Sequence, residues 1–171
     1  VMGRANRFLA PRTNAIATSF DGILRHEPSL AAKATMTGNP LRPAVLSACA
    51  VSYEAPQPSG ELRLVVFGGS QGARVMADIV PPAIEHLEPA LWDRLRITQQ
   101  VRDEDIARTR AIYDKLKVRV ELAPFFTDLP QRLAQSHLVI SRSGAGTVAE
   151  LAAMGRPAIL VPLPGALDQD Q

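Results

Sequence analysis

The sequence predicts an α/β fold in which helices cover both faces of a doubly wound parallel sheet. Three observations carry that expectation. From Leu62 onward, short β-branched runs alternate with longer amphipathic stretches, the pattern of βα units. Two of the strand-to-helix passages are glycine-containing turns, Gly68-Gly69-Ser70-Gln71-Gly72 and Ser143-Gly144-Ala145-Gly146. The chain has 171 residues, enough for one domain with a real core.

Taken in order, the strands are expected at Leu62–Phe67, Arg94–Gln99, Arg119–Leu122, Leu138–Ser141 and Ala158–Pro162. The helices between them are expected at Ala73–His86, Glu104–Leu116, Leu129–Gln135 and Thr147–Met154. Asp103 and Thr127 suit the N-caps of the second and third helices, and Pro81-Pro82 should kink or split the first. Right-handed crossovers then give a doubly wound sheet. Before Leu62 the pattern differs. Arg4 to Ala10 can finish a helix, and Ala15–Phe20 and Ala34–Thr37 read as short strands. Pro56-Gln57-Pro58-Ser59-Gly60 is a connector that cannot extend a helix or a central strand. The start at Val1 and the stop at Gln171, directly after a strand and its loop, read as a fragment of a longer protein.

Composition excludes several classes. Apolar residues make up 46% and charged residues 21%, and the longest apolar run, Ala158 to Leu167, is interrupted by prolines. It falls short of the roughly 20 residues a membrane span requires. A net charge of +2 with scattered cations and few aromatics does not point to nucleic acid. Cys49 is the only cysteine, which excludes an internal disulfide and a cysteine zinc cluster and fits a reducing compartment. His26, His86 and His137 lack ligand spacing and read as surface or structural histidines.

The chemistry is concentrated at the two glycine turns. The first amides of a helix have no intrahelical partner, and with the positive end of the helix dipole they favour a phosphate or diphosphate. Gly144 and Gly146 allow close backbone approach, Ser70 offers a hydroxyl donor, and Glu150, one turn into its helix, can accept from ribose hydroxyls. Two such junctions suggest a nucleotide diphosphate. The first turn lacks the Lys-Ser/Thr ending of a P-loop, which argues against an ATPase or kinase. Asp168-Gln169-Asp170 has the form of a metal-binding acidic pair but reads better as a loop of polar contacts.

Five segments together carry a resemblance. Gly38-Asn39-Pro40-Leu41-Arg42, Gly68-Gly69-Ser70-Gln71-Gly72-Ala73, Phe125-Phe126-Thr127-Asp128-Leu129, Arg142 to Leu151 and Asp168-Gln169-Asp170-Gln171 resemble, in order and approximate spacing, the MurG family. These are bacterial UDP-N-acetylglucosamine transferases that build lipid II from lipid I. The resemblance implies a GT-B architecture of two Rossmann-like domains. Residues 1–41 would end the N-terminal acceptor domain and residues 42–171 would form a truncated UDP-sugar-binding domain. It implies that Phe126 pairs with uracil through its backbone and that Glu150 holds the ribose. Ser70 and the stretch Ala145, Gly146, Thr147, Val148 and Ala149 would serve the diphosphate and sugar, and Gln169 and Gln171 the N-acetylglucosamine hydroxyls. Arg42 would sit at the domain junction, with its partner left open.

No metal and no cofactor are implied. The base, the acceptor loops and a membrane-docking patch would precede Val1, so the piece alone is expected not to catalyse transfer. The implied partners are UDP-N-acetylglucosamine, lipid I and a membrane surface, at the cytoplasmic face of the bacterial inner membrane. The alternatives are another GT-B enzyme, such as a lipid glycosyltransferase or a UDP-N-acetylglucosamine epimerase, or a non-catalytic nucleotide-binding module.

Overall fold

A computed structural model describes residues 3–162, without the side chains of residues 70–73. The described residues fall into two compact units, one within residues 3–41 and one spanning Arg42–Pro162.

In the first unit, helix α1 (Arg4–Leu9) runs into a 3-10 turn at Ala10–Arg12, followed by β1 (Ile16–Thr18), α2 (Pro28–Ala31) and β2 (Ala34–Met36). The two strands pair in parallel, Ile16 opposite Ala34, and Ala10, Leu24 and Leu30 form a small core. Both strands are shorter than expected, and α2 was not anticipated.

The second unit contains α3 (Pro43–Ala48), β3 (Leu62–Phe67), α4 (Gly69–Glu85), α5 (Pro89–Trp92), β4 (Leu95–Gln100), α6 (Asp103–Lys115), β5 (Arg119–Ala123), α7 (Leu129–Gln135), β6 (Leu138–Arg142), α8 (Ala145–Met154) and β7 (Ala158–Val161). Its five strands are all parallel, in the order β5-β4-β3-β6-β7. All five expected strands form, with ends displaced by one residue or less.

Strand alternation sets the layers. Leu64 and Val66 of β3, with Leu95 and Ile97 of β4, face a core completed by Met76, Val80 and Ile84 of α4 and by Tyr113 and Leu116 at the end of α6. On the other side α3 packs against α7 and α8. Tyr113 is fully buried, and its hydroxyl donates to Gln99 Oε1 at 2.6 Å; burial raises its pKa above the usual phenol value. The proline pair does not split α4. Ala77 and Asp78 lose their i+4 amide donors, but residues on either side of the prolines bury into one core, which keeps the two halves on one helix. The end of α4 is closed by Trp92, whose indole N–H donates to the Ile84 carbonyl at 2.9 Å.

Two expected caps are displaced. Asp103 is the first helical residue of α6 rather than its cap, and with Glu104 and Asp105 it puts three carboxylates on the positive end of the dipole. Asp128, not Thr127, precedes α7, and its carboxylate is taken by Arg132 at 2.8 Å instead of capping the helix. At the far end of α8, Gly155 adopts the left-handed conformation (φ 61°), and the Gly155 and Arg156 amides bond back to Ala152 and Leu151.

His137 is structural. Its Nδ1 accepts from the Arg63 amide at 3.0 Å, and its own amide donates to the Arg63 carbonyl at 2.8 Å. Burial holds its pKa below the ordinary 6.5. The unfolded chain therefore takes up a proton first as pH falls, so stability present above about pH 6.5 is lost as pH drops from there toward the folded pKa. Urea unfolding at pH 7.5 and 5.5 should show this loss, and His137→Phe should flatten the dependence. An equal loss in the variant would place its origin elsewhere.

Candidate functional site

The strand order reverses between β3 and β6, whose connections leave in opposite directions, and ligands of open α/β sheets bind outside the strand carboxyl ends at such a point. The register Phe67 opposite Ser141 brings the two glycine turns side by side there. A cavity of about 460 Å³ opens at this edge, lined by Arg42, Phe67, Gly69, Gln100, Phe126 and Glu150 among others. Ligand sites commonly run from roughly 300 to 1,000 Å³.

Both turns present helix N-termini without a side-chain cap. Gly68 precedes α4 and Gly144 precedes α8, and neither has a side chain to bond the first-turn amides. The turns differ in backbone. Gly69 has φ +66°, a left-handed conformation that costs any residue with a Cβ about 1–2 kcal/mol. Gly144 sits at φ −65°, ψ 142°, ordinary extended geometry with nothing within 4 Å of an added Cβ, so its backbone requires no glycine.

Glu150 lies one turn into α8 with its side chain 15% exposed, and Arg42, preceding α3, reaches it across 108 residues of sequence. Arg42 Nε and Nη2 donate to the same oxygen, Oε1, at 3.1 and 3.0 Å. This supplies the partner that sequence left open. Arg142, at the end of β6, buries both terminal guanidinium nitrogens without a hydrogen-bond partner, and Ser143 Oγ beside it is in the same state. Buried donors left unpaired are costly, so this junction carries polar groups suited to an acceptor.

The loop after β5 is anchored from beneath. The Phe126 ring is buried, and the Arg132 guanidinium lies over it, 4.6 Å from the centroid. Arg132 is itself fixed by Glu121 at 2.6 and 3.0 Å and by Asp128, whose pKa it lowers. With the ring committed to packing, Phe126 is left to offer its backbone. Phe125 is 71% exposed at the cavity.

Of the residues singled out from sequence, Arg42, Phe126, Gly146, Thr147 and Glu150 line this one cavity. Ala145, Val148 and Ala149 belong to the first two turns of the same helix, α8, which starts at Ala145 rather than at Thr147. Ser70 lies in the first turn of α4, and its side chain is outside the description. Gln169 and Gln171 lie outside the described residues. Sequence reasoning missed Gln100 and Pro124. Gln100 directly follows the expected strand Arg94–Gln99 and ends the observed β4, and the rule placing ligands at strand carboxyl ends could have found it.

Residues 63–171 match the glycosyltransferase family 28 C-terminal domain. The chain is 71% identical over its whole length to the UDP-N-acetylglucosamine--N-acetylmuramyl-(pentapeptide) pyrophosphoryl-undecaprenol N-acetylglucosamine transferase of Bradyrhizobium diazoefficiens, covering 47% of that protein. It is 72% identical to the protein of that name from Rhodopseudomonas palustris strain CGA009, again covering 47% of it. The chain thus spans about half the length of the curated relatives it matches. A crystal structure of Acinetobacter baumannii MurG superposes with a TM-score of 0.72 at 28% identity, over 98% of this chain and 45% of that one. The fold class is therefore the Rossmann-like α/β of GT-B glycosyltransferases.

The contrast between the turns is testable by denaturant unfolding. Gly69→Ala should lose about 1 kcal/mol, from its left-handed backbone. Gly144→Ala should unfold within about 0.5 kcal/mol of the parent. Equal losses would refute the assignment of strain to the first turn.

Proposed function

Because the chain belongs to the glycosyltransferase family 28 C-terminal domain family, we propose that it holds the sugar donor, UDP-N-acetylglucosamine, of a transferase acting on lipid I. The product is lipid II, in peptidoglycan synthesis, and transfer inverts the anomeric carbon. The observation that carries this reading is the single cavity joining Arg42, Glu150, the α8 N-terminus and the loop at Phe126, beside the turn at Gly69. Residues 1–41 close the acceptor domain in this reading, and residues 42–171 belong to the donor domain. The protein works at the cytoplasmic face of the bacterial inner membrane as a peripheral enzyme. Among the described residues no helix is long and apolar enough to cross a membrane.

Each part of the donor finds a matching chemistry. Uracil lies against the Phe125-Phe126 loop and reads its backbone. The ribose hydroxyls donate to Glu150, whose carboxylate offers about four lone-pair sites. The diphosphate meets the amides that open α4 and α8, with Ser70 as a further donor. As the bond from C1 to the phosphate oxygen breaks, negative charge gathers on the departing UDP, and donors already aimed there stabilise that charge without reorganising. Gln169 and Gln171 recognise the sugar hydroxyls. No general base is assigned within this chain.

Calorimetric titration of the 171-residue chain tests the donor reading. UDP should bind more tightly than ADP, and Glu150→Ala should weaken UDP by roughly ten- to a hundredfold through loss of charge-assisted hydrogen bonds. Unchanged UDP affinity in that variant would remove Glu150 from the ribose site. Equal affinity for ADP would remove the uracil assignment.

A further inference from the structure

We infer that Gln100 is a positioning residue of this site, its side-chain amide tying the first glycine turn to the base loop. Gln100 is the last residue of β4, the strand between β3 and β5, so it lies between the two segments that leave those strands at the carboxyl edge. Its Oε1 accepts from the Gly68 amide at 3.4 Å, and its Nε2 donates to the Pro124 carbonyl at 3.0 Å. The residue is half-buried and lines the cavity together with Phe67, Gly69, Pro124 and Phe126.

Each end of this bridge meets a backbone that needs it. Gly68 and Gly69 have no side chains with which to fix their own turn, and Gly69 holds a left-handed conformation. Pro124 has no amide hydrogen, so its carbonyl is its sole backbone group for hydrogen bonding. A primary amide carries an acceptor and a donor on one planar tip, and the glutamine stem spans the gap. Methionine would match its bulk and make neither bond. Asparagine would keep the chemistry but fall a methylene short.

The consequence is coupling. With the bridge in place, the loop that meets the base and the amides that meet the diphosphate stand at a fixed separation before ligand arrives, so ordering them costs less on binding. Gln100 touches neither the reacting atoms nor, by this argument, the nucleotide. It acts through Gly68 and Pro124. The inference rests on the reading that one nucleotide diphosphate occupies both turns.

The test uses the full 171-residue chain, with uridine and UDP titrated separately into the parent, Gln100→Met and Gln100→Asn, and thermal unfolding followed for each. In the parent, UDP should bind more tightly than uridine. In both variants that preference should narrow about tenfold, while uridine affinity changes less than about threefold, since the diphosphate amides lose their fixed distance from the base loop. An unchanged preference, even with a lowered melting temperature, would make Gln100 a merely structural residue and overturn the inference. Should Gln100→Met not fold, Gln100→Asn decides alone. A parent chain that binds uridine and UDP equally would instead overturn the donor reading itself, and this inference with it.

Discussion

The pairing of β3 with β6 is the constraint on which this molecule depends. Strands separated by more than seventy residues lie edge to edge, Leu64 opposite Leu138 and Phe67 opposite Ser141, and all that follows at the carboxyl edge is fixed by that register. Each strand ends in a small-residue turn that opens a helix, and the two helices depart to different layers. A shift of one residue would reverse the faces of Leu64 and Val66 and empty the core of α4 and α6. Burial of aliphatic side chains on both faces therefore positions two anion-favouring helix ends against each other. The glycines themselves contribute little to that placement.

Charges then refine what the core has placed. Arg132 is the best-held cation among the described residues, with two carboxylates and an aromatic ring around it, and it secures the loop that begins after β5. Arg42 is held more loosely, its side chain 65% exposed, so its bond to Glu150 contributes at most about 1 kcal/mol to stability. The two arginines serve different ends. One braces Phe126, which lines the cavity, and the other lines the cavity itself with its guanidinium exposed.

Much of this was legible in the sequence, for identifiable reasons. The five strands of the main sheet were readable because buried parallel strands are nearly continuous runs of branched apolar residues, as in Leu62 to Phe67. The short helices at Pro28, Pro43 and Pro89 were not, since four to six residues are too few to show a helical period, although proline at the first helical position is a known start signal. The proline pair in α4 misled because local propensity predicts a break, whereas Val80 and Ile84 continue the face begun by Met76 and are buried with it. At the site, the glycine turns and Glu150 stood out by residue type. Gln100 did not, because its role comes from the neighbours that β3 and β5 bring to it and glutamine is ordinary at a strand end. The pairing of Arg42 with Glu150 lay beyond sequence reading for the same reason: 108 residues separate the partners.

The Arg42–Glu150 pair also resolves an apparent conflict in the site. A carboxylate in the second turn of α8 lies close to the amides that would receive a diphosphate, and like charges in a partly desolvated cavity repel. An isolated Glu150 would oppose the very ligand whose ribose it is suited to hold. With Arg42 on Oε1 the pair is neutral overall, and the repulsion is offset while the carboxylate retains acceptor capacity for hydroxyls. The exposure of Arg42 matters here, because a guanidinium that is largely hydrated can shift toward an arriving phosphate at small cost, whereas one buried as deeply as Arg142 cannot. Arg42 thus gives the cavity an exposed positive charge that is held, in the absence of ligand, by a carboxylate of α8.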